Sequence, residues 1–211
     1  MKFEIPKIYP ITDTLISGIP HAEQVERLIA GGAEIIQLRE KRASPNEFYE
    51  AAKLAVRIAQ KQNVKIIIND RVDIALALKA DGVHLGQDDL PPEQARAILG
   101  ENAIIGYSTH TLEQALAAIK SPIDYLAFGP IFGTQTKENP DATVGLEMLN
   151  TVRNATGNFP MVAIGGINAQ NASSVFEAGA DSAAIISAIL SDAAHIKEQM
   201  RKFIALFTLD A

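Results

Sequence analysis

Short apolar runs alternate with amphipathic stretches along the whole chain, and this alternation constrains the fold more than any other feature. A run of about four to eight apolar residues indicates a buried strand, whereas apolar residues that recur about every three to four positions indicate a helix. The pattern predicts eight strands, at Ile8–Asp13, Ile35–Glu40, Lys65–Asp70, Gly82–Gly86, Ile104–Ser108, Asp124–Pro130, Met161–Gly166 and Ser182–Ser187. It predicts a helix after each strand, at Pro20–Ala30, Pro45–Gln62, Val72–Lys79, Pro92–Leu99, Leu112–Lys120, Leu146–Ala155, Ala169–Ala178 and Asp192–Phe207.

Eight strand–helix repeats are typical of an α/β protein of the (β/α)8 TIM-barrel type. An open doubly wound sheet is the alternative, but such a sheet usually carries a glycine-rich loop after its first strand, and "PITDTLISG" is not one. The 211 residues are near the lower limit for a barrel, and no low-complexity linker interrupts them. We therefore expect a single TIM-barrel catalytic domain over residues 1–211.

Composition excludes several classes of function. The chain has no cysteine, which rules out disulfides, thiolate nucleophiles and cysteine-based metal sites. A net charge of −6 argues against nucleic-acid binding, which favours a basic surface. The opening "MKFEIPKIYP" lacks the pattern of a signal peptide, and no apolar stretch approaches the roughly 18 residues of a membrane helix. We expect a cytoplasmic protein without a nucleic-acid or membrane partner.

Two predicted strands end on acidic and amide groups. "IIIND" ends at Asn69 and Asp70, and "VHLGQDD" ends at Asp88 and Asp89. The carboxyl ends of barrel strands share one face, and this face holds the active site. Because Mg²⁺ takes one or two carboxylates together with phosphate oxygens and water, we predict a magnesium site that uses Asp70 and either Asp88 or Asp89.

Basic residues follow the second strand. In "QLREK", Gln37, Arg39 and Lys41 alternate and so share one side of the chain. Arginine grips phosphate oxygens in a bidentate manner and lysine acts as a point charge, so this side suits a diphosphate bridged by the metal. Each motif alone has a more common explanation, since exposed charges are usually solvated and paired aspartates often cap helices.

The last three strands end differently. Strand seven ends in Gly165 and Gly166, strand eight ends in Ile186 and Ser187, and Thr134 and Thr136 follow strand six. Bare glycines and backbone N–H groups at these positions bind a monophosphate in many barrels. The layout therefore predicts two phosphorylated small-molecule substrates, one with a metal and one without.

The positions of the histidines in the predicted elements indicate whether they are buried or exposed. His84 lies inside the fourth strand, where we expect a core position or a supporting role near the site. His21 and His195 fall on helical stretches, where we expect exposed positions.

The chain resembles the thiamine-phosphate synthase family over nearly its whole length. The matching segments are "YPITD", "IIQLREK", "INDRVDIALALKADGVHLGQDD", "GYSTHT", "DYLAFGPIFGTQTK", "VAIGGI" and "AIISAI". The resemblance implies a TIM-barrel transferase of thiamine biosynthesis that couples a hydroxymethylpyrimidine diphosphate to a thiazole phosphate, or to its carboxylated form. It implies that the pyrimidine substrate ionises first, that the thiazole nitrogen captures the cation, and that pyrophosphate leaves.

The resemblance also assigns site residues. It implies that Mg²⁺ is held by Asp70 and Asp89, and it selects Asp89 over Asp88. Four residues are expected to act in the chemical step: Arg39, Lys41, Ser108 and Lys137. The pyrimidine diphosphate is expected to bind Gln37, Leu38, Arg39, Glu40, Lys41, Asn69, Ser108 and Lys137. The thiazole phosphate is expected to bind Thr134, Gln135, Thr136, Gly166, Ile186 and Ser187.

Two alternative functions compete with this one. A thiazole tautomerase of similar architecture would need a general acid or base, for which His110 is the candidate, and would not need the metal acids. A regulator that only senses a phosphorylated ligand would not need them either. The presence of both acids and the basic motif favours the synthase. The sequence leaves a homo-oligomer open.

Overall fold

The computed structural model of the chain describes residues 4–134 and 142–208. Eight parallel strands close into a barrel in sequence order, and β8 pairs with β1. The strands are β1 Ile8–Thr12, β2 Ile35–Leu38, β3 Lys65–Asn69, β4 Gly82–Leu85, β5 Ile104–Thr109, β6 Tyr125–Phe128, β7 Met161–Ile164 and β8 Ser182–Ile185. This confirms the predicted TIM-barrel fold.

Helices surround the barrel and return the chain from the end of one strand to the start of the next. They are α1 Thr14–Ser17, α2 His21–Ala30, α3 Pro45–Lys61, α4 Val72–Leu78, α5 Pro92–Leu99, α6 Leu112–Ala118, α7 Gly145–Thr156, α8 Ala172–Glu177, α9 Ser187–Leu190 and α10 Ile196–Thr208, with a 3₁₀ turn at Ala193–His195 before α10. Among the residues the structure describes, no helix has both the length and the apolar character that a bilayer span requires.

The strands are mostly shorter than predicted at their carboxyl ends, and two short helices were not predicted. β2 ends at Leu38, so Arg39 and Glu40 belong to the following loop. The unpredicted helices, α1 and α9, have four residues each, and a single turn is too short to show a helical period. Both lie at the carboxyl end of the barrel, next to the predicted site.

Two of the helices that start at the predicted residue are capped by a side chain. Ser44 Oγ accepts a hydrogen bond from the Glu47 N–H at 3.3 Å, and the Glu47 carboxylate accepts from the Ser44 N–H at 2.8 Å. This capping box opens α3. Thr111 caps α6 through a 3.2 Å bond from the Gln114 N–H.

Strand residues alternate between two buried layers. Residues such as Ile36 and Ile68 point outward and pack against the helices, whereas Ile35 and Ile67 point into the barrel. Along β2 and β3 the interior positions change from Ile35 and Ile67 to Gln37 and Asn69. On these two strands the barrel interior therefore changes from apolar to polar toward the carboxyl end.

The predictions for two histidines have different outcomes. His84 is buried in β4, as expected. The prediction for His21 is wrong: it is only 1% exposed, because it opens α2 against the barrel wall and its Nδ1 lies 2.8 Å from Thr12 Oγ1.

Candidate active site

One cavity of about 510 Å³ lies at the carboxyl ends of the strands and gathers most of the predicted site. It is lined by residues from the ends of all eight strands and from the following loops. The predicted residues in its lining are Gln37, Arg39, Lys41, Asn69, Asp70, Asp89, Ser108, Thr134, Gly166, Ile186 and Ser187. A second cavity beside it shares Arg39, Lys41, Thr134, Gly166 and Ser187. The two cavities form a continuous mouth, with basic groups on one side and glycines on the other.

Five predicted residues lie outside this lining. Leu38 is fully buried in the layer between strands and helices, so its side chain faces away from the mouth. The Glu40 side chain turns back into its own loop. Gln135, Thr136 and Lys137 lie outside the residues that the structure describes, and their contacts stay predictions.

Asp70 and Asp89 face each other in the mouth. The N–H of Asp70 donates to the His84 carbonyl at 2.8 Å, which ties the end of β3 to β4. The Gly86 N–H donates to Asp89 Oδ2 at 2.7 Å. Burial raises the pKa of Asp89, the Gly86 hydrogen bond opposes this, and the neighbouring Asp70 carboxylate raises the pKa further. Two carboxylates that repel each other in this way form a site that a cation would stabilise.

The donor chemistry fits Mg²⁺ with a phosphorylated ligand. In the described part of the chain, no group of three or more His, Cys, Asp or Glu side chains is arranged to hold a metal by itself. A pair of carboxylates is nevertheless sufficient when phosphate oxygens and water complete the coordination. Asp70 and Asp89 are thus suited to a magnesium diphosphate rather than to a bare ion.

The basic residues of the mouth are held by acids. Arg39 Nη1 lies 2.5 Å from Asp13 Oδ2, and both side chains are largely buried. The other Asp13 oxygen accepts from the N–H groups of Leu15 and Ile16, so Asp13 also starts α1. Lys41 Nζ lies 2.5 Å from Asp70 Oδ2, so its positive charge offsets the charge of that carboxylate.

Glu40 shapes the loop that carries these basic groups. Its Oε1 accepts hydrogen bonds from the N–H groups of Lys41, Arg42 and Ala43, and its Oε2 accepts from Thr14 Oγ1 at 3.0 Å. These bonds keep the pKa of Glu40 below its ordinary value although burial opposes the shift. Glu40 therefore acts on the mouth through the backbone of its loop.

Polar side chains inside the barrel form the floor of the cavity. His84 Nε2 lies 2.8 Å from Ser108 Oγ, and His84 Nδ1 lies 3.0 Å from Tyr125 Oη. Tyr125 Oη lies 2.9 Å from Tyr9 Oη, which accepts from Gln37 Nε2 at 3.1 Å. Sequence reasoning missed both tyrosines, because an aromatic residue within an apolar strand resembles ordinary core.

Asn69 adds a donor to the floor. The residue is only 6% exposed, and its buried Nδ2 has no partner among the residues that the structure describes. A buried donor without a partner is costly, so a ligand acceptor in the cavity would stabilise it.

The opposite side of the mouth is built from backbone. Gly165 and Gly166 have φ values of 102° and 63°, which favour glycine. A Cβ atom on Gly166 would lie 2.5 Å from the Gly133 carbonyl oxygen. The loops after β6 and β7 are joined here, because the Phe132 N–H donates to the Gly165 carbonyl at 3.0 Å. Backbone groups can therefore approach a ligand closely on this side.

His110 also lines the cavity. Its Nδ1 lies 2.6 Å from the Gly129 carbonyl oxygen, and its N–H donates to Gln114 Oε1 at 2.7 Å. Gln114 and Asp13 were both missed in the sequence. Asp13 directly follows β1, so a search of every strand end for charged residues could have found it.

Comparison with known proteins identifies the family. The family model of thiamine monophosphate synthase matches residues 8–189. A thiamine-phosphate synthase from Clostridium novyi is 46% identical over 187 residues, which cover 88% of this chain and 91% of that protein. One from Chloroflexus aurantiacus is 42% identical over 203 residues, covering 95% of this chain and 93% of that protein.

A solved structure agrees in both fold and sequence. The thiamine phosphate pyrophosphorylase from Pyrococcus furiosus superposes with a TM-score of 0.84 at 38% identity and covers 95% of this chain and 94% of its own. The family model and these relatives each span most of the sequence. The chain therefore belongs to the thiamine monophosphate synthase family.

Proposed function

We propose that the mouth of this barrel couples a hydroxymethylpyrimidine diphosphate to a thiazole phosphate and releases thiamine phosphate and pyrophosphate. The chain is a transferase like the family to which it belongs. The observation that carries the proposal is the division of the mouth. Basic and acidic side chains collect after β2, β3 and β4, and close-approach glycine backbone lies after β7.

The diphosphate substrate belongs on the charged side. Arg39 and Lys41 provide positive charge against the phosphate oxygens, and the floor offers donors from Asn69 Nδ2 and the Ser108 hydroxyl. Gln37 pairs in register with Ile67 on β3, lines the same cavity as Asn69, and would help to orient the pyrimidine. The Leu38 and Glu40 side chains face away from the cavity, so we assign their contribution to the backbone of the loop.

We assign Mg²⁺ to Asp70 and Asp89. When bound, the ion would supply positive charge against the oxygens of the departing diphosphate. Lys41 Nζ contacts the Asp70 carboxylate, and we expect Lys41 to move from this acid to the phosphate oxygens when substrate and metal bind. A cytoplasmic location and a homo-oligomer stay predictions from the sequence.

The thiazole phosphate belongs on the glycine side. We expect the monophosphate to bind Gly166, Ile186 and Ser187, together with Thr134, Gln135 and Thr136. The left-handed conformation at Gly166 requires glycine, and glycine leaves no side chain between the ligand and the backbone N–H groups.

The reaction replaces a carbon–oxygen bond by a carbon–nitrogen bond. The bond between the pyrimidine methylene carbon and the diphosphate breaks, and its electron pair leaves with the diphosphate oxygen. The lone pair of the thiazole nitrogen then captures the methylene cation. Negative charge develops on the leaving oxygens as this bond breaks. We assign its stabilisation, which is electrostatic catalysis, to Arg39, Lys41, Ser108 and Lys137.

We expect Lys137→Ala to lower kcat. A rise in KM without a fall in kcat would contradict the role of Lys137 in the chemical step.

The function is tested by pyrophosphate release from the purified protein. We expect release only when both phosphorylated substrates and Mg²⁺ are present, and its loss with chelator. If instead the protein isomerises a thiazole phosphate in the presence of chelator, and His110→Ala abolishes this activity, the chain is a tautomerase and the proposal is wrong.

The metal assignment has a matched control in the same turn. Asp70→Asn and Asp89→Asn should each abolish most of the Mg²⁺-dependent release, whereas Asp88→Asn should retain it, because Asp88 is an exposed neighbour of Asp89. Equal losses in Asp88→Asn and Asp89→Asn would show that the turn, rather than one carboxylate, is required.

A further inference from the structure

A chain of hydrogen bonds crosses the barrel beneath the cavity. It runs from Gln37 through Tyr9, Tyr125 and His84 to Ser108, with donor–acceptor distances of 3.1, 2.9, 3.0 and 2.8 Å. Gln37 and Ser108 both line the cavity, on opposite walls, and the three residues between them are buried. Such a chain has a direction, because each hydroxyl group donates one proton and the imidazole ring has two different nitrogens.

Gln37, at one end of the chain, determines the direction in which the hydrogen bonds donate. Gln37 Nε2 carries only donor hydrogens, so the Tyr9 oxygen must accept from it. Within the described residues, the Tyr9 hydroxyl has one other partner, Tyr125 Oη. The Tyr9 proton therefore points to Tyr125. Burial raises the pKa of both tyrosines, so both hydroxyls keep their protons.

The His84 ring continues the direction. If the chain continues in the same direction, the Tyr125 hydroxyl donates its proton to His84 Nδ1, 3.0 Å away. A neutral imidazole that accepts at Nδ1 carries its hydrogen at Nε2. His84 Nε2 then donates to Ser108 Oγ, 2.8 Å away. The hydroxyl proton of Ser108 is left to point into the cavity.

We propose that this chain fixes His84 as its Nε2–H tautomer and thereby makes the Ser108 hydroxyl a donor to an anionic oxygen of the ligand. Tyr9, Tyr125 and His84 are positioning residues, since they act through Ser108. The identity of the ligand rests on the proposed function, but the tautomer and the direction of the chain do not.

The direction decides what Ser108 can do. In the reverse order, Ser108 would donate to His84 Nε2 and present only lone pairs to the cavity. Lone pairs repel the oxygens of a leaving diphosphate, whereas a fixed hydroxyl donor stabilises charge as it develops there. The buried chain therefore prepares the donor before the substrate binds.

The tautomer can be measured without any substrate. Nitrogen-15 chemical shifts distinguish a protonated ring nitrogen from an unprotonated one, and the His84 signals are assigned by their absence in His84→Gln. We expect hydrogen on Nε2 and none on Nδ1 in the ligand-free protein. A hydrogen on Nδ1 would overturn the proposal, and this result is independent of whether the enzyme turns over the substrates named above.

A double-mutant cycle tests the effect on catalysis. Tyr125→Phe keeps the ring but removes the hydroxyl that connects Tyr9 to His84, and we expect kcat to fall about tenfold with little change in KM. In a Ser108→Ala background, the same substitution should change kcat by less than about twofold, because its effect passes through Ser108.

A neighbouring tyrosine provides the control. Tyr107 precedes Ser108 on β5 and faces the opposite side of the strand, so Tyr107→Phe should leave kcat unchanged. Independent effects of Tyr125→Phe and Ser108→Ala would overturn the proposal, as would equal kcat values for Tyr125→Phe and Tyr107→Phe. If Tyr125→Phe fails to fold, the His84 tautomer measured in the wild-type protein still tests the proposal, because hydrogen on Nδ1 would overturn it.

Discussion

At the scale of single residues, the charged groups of the mouth are arranged in pairs before any ligand binds. Arg39 is paired with Asp13 and Lys41 with Asp70. The two pairs differ in burial, because Asp13 and Arg39 are 7% and 14% exposed in their side chains, whereas Lys41 is 50% exposed. Arg39 is therefore held in place, and Lys41 can exchange its partner at low cost.

Lys41→Met should change the affinities for metal and for diphosphate in opposite directions. The substitution frees the Asp70 carboxylate and removes a positive neighbour, so Mg²⁺ alone should bind up to about fivefold more tightly. Pyrophosphate with Mg²⁺ should bind more weakly, because a cation that contacts phosphate is lost. Titration calorimetry measures both affinities.

The control for this substitution is a similar pair at the other end of the barrel. Lys65 Nζ lies 3.7 Å from Asp81 Oδ1 and is exposed to nearly the same extent as Lys41. Lys65→Met should leave both affinities unchanged. Weaker Mg²⁺ binding in Lys41→Met would contradict the exchange of partners described above.

At the scale of elements, the loops after the strands hold the site through backbone contacts. The loop after β7 takes left-handed φ values at Gly165 and Gly166, and it pairs with the loop after β6. A Cβ atom on Gly165 would lie 2.4 Å from Pro130 Cβ. These loops therefore meet at a distance that only glycine permits.

Gly166→Ala should weaken the site for the thiazole phosphate more than it weakens the fold. A new Cβ atom would lie 2.5 Å from the Gly133 carbonyl oxygen in a left-handed conformation, which costs about 1–2 kcal/mol in strain and displaces the loop. We expect KM for the thiazole phosphate to rise more than tenfold, by about 1.4 kcal/mol or more in binding.

Gly133→Ala is the matched control in the facing loop. A Cβ atom there meets no atom of the described residues within 4 Å, so the kinetics of the variant should resemble those of the wild type. If Gly133→Ala and Gly166→Ala raise KM equally, the close approach at Gly166 is not what forms the monophosphate site.

The sequence predicts the repeating elements well because each strand and each long helix shows its own period. It predicts α1 and α9 poorly because one helical turn has no period, and α1 depends on Asp13 accepting from two N–H groups. The acidic and basic residues of the site are predicted from the sequence because they follow directly after predicted strands. The ion pairs between them are not predicted, because the contact of Arg39 with Asp13 joins two loops that only the closed barrel brings together.

At the scale of the whole molecule, polar side chains are buried both in the barrel interior next to the site and outside the barrel. His21 is packed between α2 and the barrel, with Nδ1 at Thr12 and Nε2 3.6 Å from the Glu40 carboxylate. Burial lowers the pKa of His21, and the Glu40 charge opposes this only in part. The folded protein therefore favours neutral His21.

Stability should fall as pH decreases below about 6.5, because the unfolded chain then binds a proton at His21 that the folded chain binds less well. Above this pH the contribution is complete, and below it the loss is at most about 1.4 kcal/mol per pH unit. Urea denaturation at about pH 7.5 and about pH 5.5 measures the difference.

His21→Asn should show a smaller loss of stability between these two pH values than the wild type. His195→Asn removes a histidine that is 60% exposed and should keep the wild-type dependence. Identical pH dependence in His21→Asn and the wild type would show that His21 is not the group responsible.

The central claim, that one mouth holds a diphosphate on its charged side and a monophosphate on its glycine side, is tested most directly by a crystal structure with Mg²⁺, pyrophosphate and thiamine phosphate. We predict pyrophosphate at Arg39 and Lys41, with the metal between it and the pair Asp70 and Asp89. The phosphate of thiamine phosphate should lie against Gly166. A structure with the two phosphates exchanged, or with a metal that contacts neither acid, would contradict this account.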